Sequence, residues 1–560
     1  MQALGKLFAA CAAFVCCAGL AAPERIEYTL TPVLQDGALR AVQIDLSFRA
    51  DADGETHLRL PQSWGGQDEL WRSIDGLSVV SGATMREGEG PGERVLASRP
   101  GAAIHVRYRV LQDWPGAPRA ELGNTYRPAI QPSYFHLIGE AALVTPDADL
   151  TTPVRVRVRH LPRGWTYASD LEHEGLTLAQ VWSSVTVAGD FRVLRSSDGA
   201  TRIAIRGQWS FSDAEFAQQV EQIIAGQRAF WGDAPEPFLV TVLQLEAPEN
   251  WISIGGTGLG DAFAFFATPN AQARPIMRTL AHEALHTWIP HRIGEAPDEN
   301  EAAQYWLSEG FTDFYTPRLL VRDGLWTPAD FAADLNEMLA AYAQSPVRAE
   351  PNARVVADFW NDQDVQKLPY QRGRLLAMIW DARLRTSGRD FDDVVLAMRQ
   401  RARSDTQHRA VETFPETAAV LSLDTGSDLA RFVEAGEPIL LPEDVVAPCG
   451  RVETRSLAPF HRGFDIAATQ ANNNVISGVD PALPAYEAGL RDGMVLVRRA
   501  AGEIGNAELE IAYVVREGEA ERTIRYMPRG HGQVQQQHLV LAENLSGETL
   551  AQCVRVLGGA

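Results

Sequence analysis

The sequence predicts a multidomain α+β protein, and three observations carry that prediction. Residues 42–48, 104–110 and 154–159 alternate apolar and polar side chains, the period-two pattern of strands with one buried and one wet face. From residue 212 onward the apolar spacing is helical, and His-Glu-Ala-Leu-His stands at 282–286. From residue 450 the composition changes again, to short strand patterns around 508–515 and 522–527. A chain of 560 residues implies several domains, and an apolar fraction of 45% is enough for real cores. The division expected is a targeting segment at 1–22, an N-terminal β-sandwich-like domain at 23–205, a mainly helical domain at 206–445 and a C-terminal β domain at 446–560.

Residues 1–22 read as an export signal. Lys6 gives the positive start, 7–20 is an uncharged run, and Gly19, Ala21 and Ala22 offer a cleavage site. That run is too short for a comfortable membrane span. No other stretch is apolar enough to cross a bilayer, so the mature chain is expected periplasmic or secreted, without stable membrane insertion. Cys16 and Cys17 leave a lipoprotein anchor as the alternative. A net charge of −21 argues against nucleic acid and anionic lipid surfaces. Three of five cysteines fall in the targeting segment, which leaves Cys449 and Cys553. In an oxidising compartment these two are expected to form a disulfide, with two buried thiols as the alternative.

In the first third, Pro, Gly and Asp clusters separate the alternating runs, as in a sandwich. The arginines at 155, 157 and 159 read as its solvated face. A helix is expected from Ser212, which makes a capping box with Glu215, to about Trp231. Residues 238–243 read as a buried strand, 255–261 as a Gly-rich turn, and 263–266 as a short strand. The Gly-rich turn is no phosphate loop, because no Gly-Lys-Ser/Thr follows it. Thr327-Pro328 starts another helix, with Phe331, Leu335, Met338 and Leu339 at core spacing.

The stretch 280–288 holds no Gly or Pro, so His282 and His286 share one helix face and can aim at one metal ion. Glu283 is near enough to reach a metal-bound water but is too differently directed to bind the metal. An amphipathic helix with two solvated histidines is the alternative. A third histidine ligand at the metzincin spacing is missing, since Ile289 and Arg292 stand where Gly and His would be. Glu309 therefore becomes the candidate third ligand, set among apolar residues where a charge needs a partner. Glu301, in polar surroundings, is its rival. Asp313, four residues beyond Glu309, can accept the second N–H of a ligating histidine.

These paired stretches, His282-Glu283-x-x-His286-x-Trp288 with Arg292-Ile293 behind it and Trp306-Leu307-Ser308-Glu309-Gly310-Phe311-Thr312-Asp313, resemble the glycyl aminopeptidases, metallopeptidase family 61. The resemblance covers about residues 250–400. It implies a thermolysin-like gluzincin catalytic domain, and a cleft whose edge strand, at 263–266, pairs with extended substrate. Tyr370, in Leu368-Pro369-Tyr370-Gln371-Arg372-Gly373, matches the family tyrosine that faces the zinc and can donate to an oxyanion. It otherwise reads as a helix-start aromatic. Where the family carries Gly-Gly-Leu-Glu-His, with Glu as partner of a substrate amine, this chain has Gly255-Gly256-Thr257-Gly258-Leu259-Gly260-Asp261. Asp261 is then the candidate amine anchor, and exopeptidase selectivity is expected to be weakened. Further on, 461–466, 475–481 and 484–497 resemble a PDZ domain, with Gly463-Phe464 at the carboxylate-binding turn. Little room follows Val497 for the second helix of that fold. Packing on the catalytic domain is therefore as natural a role as peptide binding.

The function expected is that of an exported zinc peptidase, aminopeptidase-like, acting on peptide substrates. His282, His286 and Glu309 would hold Zn2+, Glu283 would activate a zinc-bound water, and Tyr370 would stabilise the oxyanion. The alternative is an inactive peptidase fold that binds peptides or proteins through its PDZ-like end.

Overall fold

The computed structural model describes residues 25–120, 123–248, 251–294, 300–404 and 409–559. The expected export segment, 1–22, lies outside these described residues. The chain divides into two units. One takes Met1–Gly116, Tyr126–Trp165 and Leu171–Gly189, and the other takes Ala117–Thr125, Thr166–Asp170 and Asp190–Ala560.

The first unit is built on β-sheets. Its five-stranded sheet runs, in spatial order, Val154–Val158, Ile26–Gln35, Ala38–Arg49, Ala103–Val110 and Ile74–Ser81. Alternation along Ala38–Arg49 buries Val42, Ile44, Leu46 and Phe48, and the register sets Ile44 against Tyr108 and Leu46 against Val106. Two buried tyrosines satisfy their hydroxyls on the backbone of one residue. Tyr28 donates to the Val144 carbonyl at 2.9 Å, and Tyr108 accepts from the Val144 N–H at 3.0 Å.

The long continuous stretch of the second unit begins with β1 (Arg192–Arg195) and β2 (Thr201–Arg206). The sequence reading assigns both to the N-terminal domain, 23–205. In the structure β2 pairs in parallel with β3 (Phe238–Gln244), Thr201 opposite Phe238, so both strands belong to the second unit. Periodicity identifies a strand but not the sheet it joins. The sheet continues with β4 (Ile254–Gly258) and β5 (Ala262–Ala267), in the order β1-β2-β3-β5-β4. Here the expectation is corrected. The stretch around 263–266 is not the edge: β5 is interior and fully buried, and the glycine-rich residues read as a turn form the edge strand β4. Glycine weakens strands and favours turns, so its sequence signal opposed what pairing with β5 imposes.

Helix α1 (Asp213–Trp231) starts at the Ser212–Glu215 capping box and buries Phe216, Val220, Ile223, Ile224 and Trp231. Each such side chain contributes about 1.5–3 kcal/mol of burial. After β5 come α2 (Ala273–Leu285), α3 (Tyr305–Arg322), α4 (Pro328–Gln344) and α5 (Gln363–Arg385). Thr327 caps α4 by accepting from the Asp330 N–H. Helix α5 starts at Asp362, whose side chain accepts from the N–H groups of Asp364 and Val365. Tyr370 therefore sits inside α5 behind Pro369, not at its start. Helices α3 and α5 cross at a glycine pair. A Cβ on Gly310 would stand 2.4 Å from Gly373 Cα, and one on Gly373 would stand 1.8 Å from the Trp306 oxygen.

Beyond residue 449, β6 (Gly450–Leu457) and β10 (Val534–Leu541) form an antiparallel pair, with Gly450 opposite Leu541 and Leu457 opposite Val534. Their Val452 and Leu539 join the core of the helices. Between them, β7 (Val495–Ala501), β8 (Ile511–Glu517) and β9 (Ala520–Tyr526) make a separate sheet. It has a core of its own, including Phe464, Ile476, Leu490 and Val515. After the Gly463-Phe464 turn the chain forms a short helix, Ile466–Ala471, and among the described residues no helix separates β7 from β8. The terminal helix α6 (Gly547–Gly558) packs behind α3, where Arg322 Nε donates to the Gly558 carbonyl at 2.7 Å. Cys449 at the foot of β6 and Cys553 of α6 are disulfide-bonded, with Cα atoms 4.7 Å apart.

Candidate metal centre

The last turn of α2 carries His282 and Glu283, and His286 is its C-cap, still in helical conformation. One turn apart on one face, the two imidazoles have centroids 5.0 Å apart and planes at 85°. Each ring commits Nδ1 to an acceptor. His282 Nδ1 lies 3.0 Å from Asp313 Oδ1, and His286 Nδ1 lies 2.9 Å from the Ile289 carbonyl oxygen. A carboxylate and a carbonyl only accept, so Nδ1 carries a proton in both rings, and Nε2 is the atom each ring can offer to a metal once deprotonated. Glu309 of α3 completes the group. Its Oε2 is 3.2 Å from His282 Nε2 and 3.5 Å from His286 Nε2, and the three ligand atoms lie within 4.8 Å of one another. Glu301, the rival, is exposed in the short 3-10 helix before α3, interacts with Tyr305 and is no part of this group.

The donor set fits zinc. Two neutral imidazoles and a carboxylate are its ordinary protein ligands, and three of them leave a coordination position open. The electrostatics agree. Burial opposes protonation of His282, but Asp313 and Glu309 outweigh it and raise its pKa to about 10. His286 is raised too, where Glu309 outweighs burial. Burial acts to raise the Glu309 carboxyl, yet His286 and His282 hold it well below the usual carboxylate range. Protons gathered around a buried carboxylate are those that a bound dication would displace.

Glu283 turns away from this convergence. Its Oε2 accepts the Gly258 N–H at 3.1 Å, from the end of edge strand β4. A Cβ on Gly258 would meet the Glu283 carbonyl oxygen at 2.7 Å and His286 Cβ at 3.0 Å, so the close approach requires glycine. Burial raises the Glu283 pKa, with His282 and His286 opposing it only in part. The Tyr370 ring stacks on His282, centroids 5.9 Å apart at 20°. Burial keeps its hydroxyl protonated far above the ordinary tyrosine range, and Glu309 adds to the shift.

Asp261 stands apart from this cluster. In the turn between β4 and β5, its Oδ1 lies 3.6 Å from Arg292 Nη2, and Arg292 also pairs with Asp233 at 3.1 Å. The sequence reading missed two contributors. Gly258 acts through its backbone, which leaves no side-chain signature. Arg278, which meets Asp313 at 2.9 Å, lies four residues before His282, and that spacing was the available signal.

Residues 276–367 match the M61 glycyl aminopeptidase family. No curated protein matches the chain. Among solved structures, an aminopeptidase N family protein from Idiomarina loihiensis is similar with a TM-score of 0.68 and 14% identity, over 94% of this chain and 100% of that one. An M1 zinc metallopeptidase from Deinococcus radiodurans gives a TM-score of 0.45 and 17% identity, over 75% of this chain and 96% of that one.

Proposed function

We propose, from the match of residues 276–367 to the M61 glycyl aminopeptidase family, that this chain is a zinc-dependent peptidase. The observation that carries the reading is the convergence of His282 Nε2, His286 Nε2 and Glu309 Oε2 with both Nδ1 atoms already committed. In it, His282, His286 and Glu309 hold the metal. Bound there, zinc supplies Lewis acidity that polarises water and the substrate carbonyl.

The remaining steps belong to the chain's own residues. Glu283 takes a proton from the attacking water and returns it to the leaving amine, and its burial raises its pKa in the direction such a base needs. The Tyr370 hydroxyl, kept protonated, donates to the developing oxyanion. Strand β4, outermost in its sheet among the described residues and ending at Gly258 beside Glu283, is where an extended peptide would pair through main-chain hydrogen bonds. Its glycines let a substrate backbone come close. The binding-protein alternative draws less support, since a helix at Ile466–Ala471 follows the turn where a PDZ-type groove needs a strand.

Export through residues 1–22 and the PDZ-like character of the C-terminal part belong to the same proposal. Asp261 as amine anchor has little to recommend it, because its carboxylate already faces Arg292. The reading is tested by removing metal with a chelator and restoring zinc, while following hydrolysis of free and N-acetylated peptides. Zinc-restored hydrolysis supports it. Full activity without metal overturns it. Equal rates on free and acetylated peptides would identify an endopeptidase, whereas strong preference for the free amine, unchanged in Asp261→Ala, would exclude Asp261 as the anchor.

A further inference from the structure

Behind His282 the structure holds a chain of alternating charges that spans four helices. His282 Nδ1 lies 3.0 Å from Asp313 Oδ1. Arg278 Nη2 donates to that same oxygen at 2.9 Å, while its Nε donates to Asp334 Oδ1 at 2.7 Å. Arg374 Nη1 then lies 2.7 Å from Asp334 Oδ2, an ion pair lying off the hydrogen-bond direction. Arg278 is on α2, Asp313 on α3, Asp334 on α4 and Arg374 on α5. The two aspartates and Arg374 are almost fully buried.

We propose that Arg278 is a positioning residue for the metal site: its forked guanidinium locks the Asp313 carboxylate, and through it the His282 ring, against α4. The argument is geometric. A carboxylate that accepts only from His282 could rotate about its side chain. One that also accepts from a rigid fork anchored at its other end on Asp334 has one orientation. Arg278 precedes His282 by one helical turn, so the residue that fixes the acceptor and the residue that uses it rise from one face of α2. Asp334 and Arg374 carry the anchoring to α4 and α5, and α5 bears Tyr370. Partners of a ligating histidine typically change metal affinity about 10–100-fold when removed. Arg278 stands one contact further out and acts through such a partner.

The inference rests on His282 being a metal ligand, and the test separates the two. Zinc dissociation constants of the full chain are measured by chelator competition for wild type, Arg278→Met, Arg278→Lys and the charge-balanced Arg278→Met/Asp334→Leu. Arg318→Met is the control. That arginine is more deeply buried than Arg278 and lies on α3, but it pairs with Asp381, Asp390 and Asp392 away from His282. The expected result is zinc binding weakened about tenfold or more in Arg278→Met and in the double variant. Arg278→Lys, which keeps the charge without the fork, should fall between them and wild type. Arg318→Met should stay within about threefold of wild type, since it meets no group that touches a ligand. If Arg278→Met does not fold, the double variant and Arg278→Lys decide. Wild-type affinity in the Arg278 variants, or an equal loss in Arg318→Met, overturns the inference. A wild-type chain that binds no zinc overturns the ligand reading itself, and the inference falls with it.

Discussion

Glu283 and Glu309 are both glutamates at the same site, and their surroundings send them in opposite directions. Burial acts to raise both, but only Glu309 has two histidine nitrogens within 3.5 Å to reverse the effect. Glu309→Ala should therefore abolish zinc binding in a metal titration, whereas Glu301→Ala should keep it; the reverse pattern would refute the ligand assignment. Glu283→Gln should retain zinc and lose about a hundred- to ten-thousand-fold in kcat. Asp233 offers a different test, through pH. Burial disfavours its charge, but the Trp288 N–H and the guanidinium groups of Arg399 and Arg292 hold its pKa below the usual value. A depressed carboxyl contributes stability that is present above its unfolded pKa of about 3.9 and lost as pH falls through the lower folded value. Asp233→Asn should cost about 3–5 kcal/mol at neutral pH, because it leaves Arg399 buried without its counter-charge. Thermal unfolding should show that deficit shrinking only in acid below pH about 4, and a deficit independent of pH would exclude the ionic account. At this scale the sequence was readable where spacing encodes geometry. The shared face of His282 and His286 follows from helical period, as does that of Glu309 and Asp313 on a second helix, while Glu309 itself was marked out by its apolar neighbours. The pairing of Asp261 with Arg292, thirty-one residues on, was not readable, because nothing in Asp261's neighbours reveals it.

Between elements, the distance that matters is set by glycine. Gly310 follows Glu309, Gly373 follows Tyr370 by one turn, and the two glycines touch where α3 crosses α5. The backbones can meet only because neither residue has a side chain, and this contact brings the Glu309 carboxylate and the Tyr370 ring to one site. Gly373→Ala places a methyl against the Trp306 carbonyl, a rigid neighbour, and should cost about 1–3 kcal/mol in a denaturation experiment. With the helices forced apart, kcat should fall more than zinc affinity does, since Tyr370 and not the ligand set moves away. A variant with wild-type stability and rate would show that the crossing has room to spare. Caps were legible here: Ser212 with Glu215, and Thr327 before Pro328, begin their helices where hydrogen-bond chemistry requires. The start of α5 was hidden, because Pro369 reads as a helix beginning while Asp362 supplies the actual cap. Edge strand β4 was hidden for the opposite reason. Its glycines signal a turn, and only the neighbouring β5 gives them a partner.

For the second unit taken whole, the two ends of the C-terminal region are fastened to the helices that hold the site. Peptide mapping without reductant should recover Cys449 linked to Cys553, and free thiols at both positions would refute the bond. Closing a loop of 104 residues contributes about 4–5 kcal/mol in the chain-entropy model, so the double serine variant should unfold at a clearly lower temperature. The separate core of β7–β9 was foreshadowed by the change in composition, but its attachment was not, since a pattern of strands does not say which pair with each other across a long interval. That attachment has a further consequence. Leu457 faces Val534 at the open end of β6 and β10, so everything between them enters and leaves at neighbouring points. In terms of chain connectivity the small β module is an insert carried on the tip of a hairpin. Joining residue 457 to 534 through Asn-Gly, a two-residue turn suited to a hairpin, should give a shortened enzyme that still binds zinc and cleaves short peptides. Whatever the excised variant can no longer do, on long or structured substrates, is what the insert contributes.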